Sequence, residues 1–409
     1  MKRILSLLLV LCLFLPVLSL AELDEDEYSS ADYVEEVDLD ESEDEEESDT
    51  ISEETINARP LSDEELEELK SALESSDYVA KELDESKDLC INENIPESNV
   101  INILLLGVDT RNAELIEKDV KLADVQMILS VDPDKGTVKL ASILRDTLVT
   151  NPYTGNQYPI NYSIQSYNSK KVFHDNPERS IATVNYNFEL NIKYYVMINF
   201  RGVLSIVDFL GGVDLELTKG EADNINYYLK KNAKRIAKTY DNAEARKNRV
   251  ELEVRDGVQH LDGLQSLMYA RLRQDKTKKG YDLGDDWQRT FRTRNLLDKL
   301  LQKVLKGNTD YISLASFAID YVDCNLNVMD MINLVGPLLN SGILDRLGSS
   351  DSIIDQFRIP ADIDGEKTWS YVQEGEWKGK IFMSKRNGKF QKNVEALHEF
   401  LFGEYYPAD

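Results

Sequence analysis

The chain of 409 residues has little of several things, with 3 cysteines, 3 histidines and 3 tryptophans. Cys12 falls in an apolar N-terminal run, so Cys90 and Cys324 alone remain, too few for a disulfide framework or a four-cysteine zinc site. Once exported they could pair, or stand as two small buried hydrophobes; both readings are open. His174, His260 and His398 are scattered, with no pair at metal-binding spacing, which disfavours a histidine-based catalyst. Neither a phosphate loop of the Walker type nor Gly-x-Ser-x-Gly occurs. Basic charge is also scarce, 47 Lys and Arg against 75 Asp and Glu for a net charge of −28, so no nucleic-acid partner is expected.

What is present is unevenly placed. Lys2 and Arg3 precede an apolar stretch over residues 4–20 that ends at Ala21. Small residues at Ser19 and Ala21 fit a cleaved export signal, and a retained membrane anchor is the alternative; residues 1–21 are read as one or the other. Either way the rest faces the outside of the cytoplasmic membrane, at its surface or in the wall. Residues 22–54 carry 19 acidic side chains and no Lys or Arg. Such a self-repelling run cannot offset the entropy of ordering, so 22–56 reads as a disordered linker. Without these segments the charge is near −11, an ordinary acidic surface. Helical spacing of Leu66, Leu69 and Leu73 after a Ser62 cap makes 57–94 a helical lead-in.

The core pattern begins at 100–106, a continuous apolar run expected of a strand covered on both faces. Strands at 125–131 and 137–143 follow, joined through Pro133 and Gly136 as a hairpin. Helices near 179–188 and 202–210 alternate with strands at 194–198 and 213–217, and helical patterns then occupy 222–239, 263–271, 286–305, 312–321 and 328–339. Short strands near 356–359 and 369–372 and a helix at 393–402 close the chain. The expected fold is α/β, a three-layer sandwich with a mixed central sheet and helices on both faces, over 95–345, with 346–409 as a C-terminal extension packed on it.

Charged residues gather where strands end, the place open α/β sheets put ligand sites. Asp109 follows the first strand, Asp124 opens the second, Arg145 and Asp146 close the third, Arg271 and Arg273 end a helix, and Asp286 and Arg289 lie on the first turn of another. Singly, each admits a structural reading as a turn, cap or helical ion pair. Together, several arginines with two or three aspartates suggest a phosphate-bearing ligand and a divalent cation, because Arg forks match phosphate oxygens and carboxylates hold hard metals.

The ordered series NILLLGVDTR (102–111), ADVQMILSV (123–131), SILRDT (142–147), NFRG (199–202), LGGV (210–213), LDG (261–263), YARLR (269–273) and DWQR (286–289) resembles the LytR-CpsA-Psr family, and RIP (358–360) and LHEF (397–400) are similar to the extension of its clostridial-type members. The resemblance implies a transferase of Gram-positive envelopes that moves an anionic glycopolymer, a teichoic acid or capsule, from a polyprenyl-pyrophosphate carrier to peptidoglycan as a phosphodiester, assisted by Mg²⁺. It implies metal at Asp109 and Asp124, pyrophosphate at Arg145, Arg271, Arg273 and Arg289, and Asp286 orienting the arginines. Asp109 or Asp146 would take the acceptor's proton. A pyrophosphatase side activity differs only in that water attacks. Three positions depart from the family: Leu122 and Pro159 stand where Arg and Lys are common, and Thr293 where Gln is. Lys121 or Arg292 would have to replace the missing cations, or the protein binds the lipid pyrophosphate as a regulatory protein with little turnover.

Overall fold

The computed structural model describes residues 88–108, 122–167, 173–175, 177–231, 250–284, 286–306, 321–327 and 354–408, with isolated positions 71, 80, 82, 83, 314 and 317. The export segment, the acidic linker, most of the helical lead-in, Asp109, Lys121 and the helical pattern at 328–339 lie outside the described residues. In chain order the main elements are β1 (Ile101–Val108), β2 (Ala123–Asp132), β3 (Thr137–Ile143), α1 (Pro177–Phe188), β4 (Tyr194–Asn199), α2 (Phe200–Phe209), β5 (Val213–Leu217), α3 (Lys219–Lys231), β6 (Gly257–Leu261), α4 (Gly263–Arg271), α5 (Asp286–Lys306), β7 (Val322–Cys324), β8 (Ile354–Ile359), β9 (Ser370–Tyr371), β10 (Ile381–Phe382) and α6 (Lys389–Phe402).

Six strands form a mixed sheet in the order β7-β4-β1-β2-β3-β8. The β1-β2-β3 meander is antiparallel, while β4 joins β1 and β8 joins β3 in parallel. Successive β1 side chains enter opposite layers, which is why its sequence is apolar throughout rather than alternating. Ile103 and Leu105 meet α2, α4 and α5, whereas Leu104, Leu106 and Val108 meet α1 and α6. This is the expected three-layer sandwich. The C-terminal segment is part of it, since β8 is a strand of the central sheet and α6 buries Phe390, Val394 and Leu397 in its second layer.

Local chemistry sets the helix ends. Asn199 accepts from the Gly202 amide at 3.0 Å, so α2 starts two residues earlier than its apolar spacing indicates. Asp262 and Gln265 form a capping box on α4, and the Gly263 amide donates to Asp208 Oδ1 at 2.6 Å. A Cβ on Gly263 would stand 2.3 Å from the Leu204 carbonyl oxygen, so the Asp-Gly pair is where α4 meets α2. Strand β5 pairs with β6 in a separate ribbon rather than in the central sheet. The sequence pattern misses β6 because Val258 is exposed and His260 alternates with it on the outer face. Cys90 and Cys324 are both free thiols, so they do not pair.

His398 fastens α6 and is fully buried. Its Nε2 donates to the Phe188 carbonyl at 2.9 Å, while Nδ1 accepts the Tyr406 amide at 3.2 Å. This arrangement requires the neutral ring, and burial pulls its pKa below the ordinary 6.5. An unfolded chain takes up this proton near pH 6.5 while the folded one resists, so the contribution is present above that pH and is lost as pH falls. Melting temperature should therefore drop by a few degrees between pH 7 and 5, and His398→Gln should flatten that part of the profile; an identical slope in the variant would refute the assignment.

Candidate functional site

The site begins with a register. In the β2-β3 hairpin Gln126 faces Ile143, and continuing that antiparallel pairing outward sets Asp124 opposite Arg145. Asp124 is 2% exposed. Its Oδ2 accepts from an Arg145 terminal nitrogen at 3.2 Å, and its Oδ1 accepts from Asn161 Nδ2 at 3.0 Å. Arg145 also stands 3.9 Å from Asp146, and Asp146 in turn pairs with Lys380 at 2.6 Å.

Asn161 arrives on a short 3-10 turn, Ile160–Ile164, that follows Pro159. The proline φ of −64° suits the start of such a turn, and its missing N–H is not needed there. The turn is tied down by Asn161 N to Arg145 O at 3.2 Å and Ile160 N to Thr147 O at 2.9 Å. Gln126 Nε2 donates to Ile160 O at 2.8 Å and to Ser163 Oγ at 3.0 Å. Pro159 thus shapes the wall that holds Asn161 against Asp124, but brings no cation.

The opposite wall is the first half of α5. Arg289, Thr290 and Thr293 line one cleft with Asp124, Ser142 and Arg145. Arg289 is 3% exposed, and Thr293 Oγ1 donates back to its carbonyl at 3.0 Å. Arg294, which the sequence reading missed, adds charge beneath, donating from Nη1 to Ser142 Oγ at 2.6 Å and from Nε to Gln356 at 2.8 Å. Burial and then the neighbouring Arg358 push its pKa down to about 10. An arginine beside the buried Leu296–Leu297 pair was the signal that could have found it.

The structure therefore brings together Asp124, Arg145 and Arg289. Arg271 and Arg273 do not line this cleft. Arg271 ends α4 with its guanidinium 5.8 Å from the Tyr228 ring, and Arg273 is half-buried two residues on. Asp286 is the first residue of α5, and the orienting bond expected of its side chain lies outside the described residues. Arg292 cannot replace a missing phosphate contact, because its guanidinium holds Glu221 at 2.6 Å, the Leu272 carbonyl at 2.9 Å and the Leu283 carbonyl at 2.6 Å.

The cleft is narrow and opens to solvent on one side. Between sheet and helix, Leu296, Leu297, Leu300, Leu301 and Val304 are fully buried in the core. As for a metal, no group of three or more His, Cys, Asp or Glu gathers among the described residues. Beside the Asp124 carboxylate, however, Asn161 Oδ1 and Gln126 Oε1 are buried and accept no hydrogen bond. One carboxylate and two amide oxygens are hard donors of the kind Mg²⁺ takes, so this corner fits the ion chemically.

A three-layer α/β protein with a cationic cleft at the strand ends is thereby defined. The model of the LytR_cpsA_psr family matches residues 66–372, and the chain belongs to that family. Among its relatives, Biofilm regulatory protein A of Streptococcus mutans is 24% identical over 76% of this chain and 70% of its own length. A polyisoprenyl-teichoic acid–peptidoglycan teichoic acid transferase TagU of Bacillus mycoides is 27% identical over 60% of this chain and 66% of its own. Of solved structures, TagT bound to LIIa-WTA shares the fold with a TM-score of 0.50 at 19% identity, covering 79% of this chain and 99% of that one.

Proposed function

We propose that the protein transfers an anionic glycopolymer from a polyprenyl-pyrophosphate carrier to peptidoglycan, at the outer face of the cytoplasmic membrane or in the wall. No described helix is long and apolar enough to cross a membrane, and residues 1–21, the expected export signal or anchor, lie outside the described residues. The observation that carries the reading is the Asp124–Arg145–Arg289 cleft, in a family with relatives named for teichoic acid transfer to peptidoglycan.

In this reading an acceptor sugar hydroxyl attacks the phosphorus that bears the glycan. The new P–O bond completes a phosphodiester, the bond to the bridging oxygen breaks, and polyprenyl phosphate leaves. Arg145 and Arg289 stand ready for the charge on the non-bridging oxygens, and their fixed positions avoid reorganisation during the reaction. Arg271 and Arg273 serve the distal phosphate if α4's exit turns toward the cleft. Asp124, with Asn161 and Gln126, would hold Mg²⁺, joined by Asp109; the ion supplies Lewis-acid polarisation of a phosphoryl oxygen. The hydroxyl's proton goes to a carboxylate, Asp109 or Asp146, the latter already paired with Lys380. Hydrolysis of the same bond requires only that water replace the sugar.

A second reading, lipid-pyrophosphate binding with little turnover, is favoured by Leu122, Pro159 and Thr293 and by the engagement of Arg292 elsewhere. One assay separates the two. Incubation with a polyprenyl-pyrophosphate-linked glycan, peptidoglycan and Mg²⁺ should give polymer-bearing peptidoglycan, and Arg289→Ala should lower the rate by about 10–100-fold, the worth of one charge-assisted contact. Equal rates for parent and variant would refute the pyrophosphate reading, and lipid binding without product would establish the second.

A further inference from the structure

The three tryptophans of the chain belong to two aromatic contacts joined by the β9-β10 hairpin, and the cleft's chemistry does not use them. Trp287, on the first turn of α5, and Trp369 have ring centroids 4.5 Å apart. Trp369 meets the edge of Tyr371 at 5.4 Å, and the Tyr371 ring is 44% exposed. On the turn between β9 and β10, Trp377 meets Tyr162 edge-on at 6.3 Å, with Tyr162 also exposed. Cations cover the inner rings: the Arg358 guanidinium is 3.9 Å from the Trp287 centroid and Lys367 Nζ is 3.6 Å from that of Trp369.

This surface is attached to the site at two points. Trp287 precedes Arg289 by two residues on the same helix. The β9-β10 hairpin is fixed to the segment after β3, with Ile381 N donating to Asp146 O at 2.9 Å and Lys380 holding the Asp146 carboxylate. Tyr371, Trp377 and Tyr162 belong to neither hydrophobic core, so packing does not account for them. A cluster of half-exposed aromatic rings marks a binding surface, and flat rings with polar tips suit a partner that is apolar on its face and polar at its rim, as a pyranose is. Charge selects among sugars. Over residues 366–380 Glu366, Glu374 and Glu376 balance Lys367, Lys378 and Lys380, so the segment that carries the exposed rings has no net charge with which to attract a polyanion.

We infer that this aromatic ledge binds the uncharged glycan backbone of the peptidoglycan acceptor, sugar rings stacking on Tyr371 and Trp377 so that a hydroxyl is presented at the Arg145–Asp146 edge of the cleft. The inference rests on the transfer reading above and names the acceptor subsite of that same site.

The test is cosedimentation of the full chain with peptidoglycan sacculi stripped of anionic polymers, together with tryptophan fluorescence during titration with soluble muramidase fragments, since every tryptophan reports from this surface. The parent should sediment and its fluorescence should change. Tyr371→Ala and Trp377→Ala should each weaken binding about tenfold, a stacking contact's worth, without lowering the melting temperature. Failure of the parent to bind stripped sacculi, binding only to sacculi that retain anionic polymer, or undiminished binding by the double variant would each overturn the inference. Arg289→Ala should leave sedimentation unchanged, so loss of transfer with sacculus binding retained points to the pyrophosphate cleft, and the reverse points to the ledge.

Discussion

Arg145→Ala should reduce polymer transfer by about 10²–10³-fold, the cost of removing a preorganised donor from the site of charge development. The same substitution strips the buried Asp124 of its cation and leaves it the Asn161 Nδ2 donor at 3.0 Å. A lone buried carboxylate is costly, and breaking such a pair from one side destabilises by about 3–5 kcal/mol. Activity and stability would then fall together, and Arg145→Ala alone could not tell a phosphate contact from a structural one. The companion variant resolves it. Asp124→Asn removes the negative charge and keeps the shape, so Asp124→Asn with Arg145→Ala should recover most of the melting temperature. Transfer should stay at the level of the Arg145 variant if Arg145 acts on the ligand. Restoration of transfer along with stability would show that Arg145 serves only to neutralise Asp124.

The fold was largely legible because hydrophobic runs state how many faces are covered. The unbroken apolar β1 announced a strand between two layers, and the Leu296–Val304 stripe announced a helix on one of them. Pairing partners were less legible. Nothing local in β5 says that it joins β6 instead of the central sheet, because that choice depends on which edge is already occupied. The candidate site was half legible for a similar reason. Asp124 and Arg145 are equidistant from a hairpin whose turn the sequence marks with Pro133 and Gly136, so their meeting follows from register. Arg289 joins them only through helix packing, and Arg271 and Arg273 remain at the exit of α4, since spacing along the chain carries no information about where that exit points. Arg292 and Arg294 show the same limit. Two positions apart on one helix, they face different elements, one taking Glu221 and backbone carbonyls, the other Ser142 and Gln356.

Arg292→Ala should be among the most destabilising substitutions in the protein, and its effect on ligand binding should follow from that alone. The residue is 5% exposed and its side chain joins three elements: Glu221 of α3, the Leu272 carbonyl after α4 and the Leu283 carbonyl before α5. Glu221, 8% exposed, uses its other oxygen on the Thr218 amide at 2.8 Å and hydroxyl at 3.1 Å, so it cannot rotate to water without giving those up. Truncation leaves that carboxylate and two carbonyls without the donor that joined them, a loss of about 3–5 kcal/mol, or on the order of 10 °C in melting temperature for a domain of this size. Arg292→Lys keeps the charge but not the fork, and one ammonium cannot reach an acid and two carbonyls set apart as these are, so it should recover less than half. Glu221→Gln in the Arg292→Ala background removes the stranded charge and should return part of the loss. Because the clamp also fixes the turn carrying Arg271 and Arg273, weakened lipid-pyrophosphate binding in Arg292→Ala should be relieved by the same second substitution. Binding lost at unchanged melting temperature would instead make Arg292 the stand-in for the absent lysine at position 159, and the geometric assignment would fail.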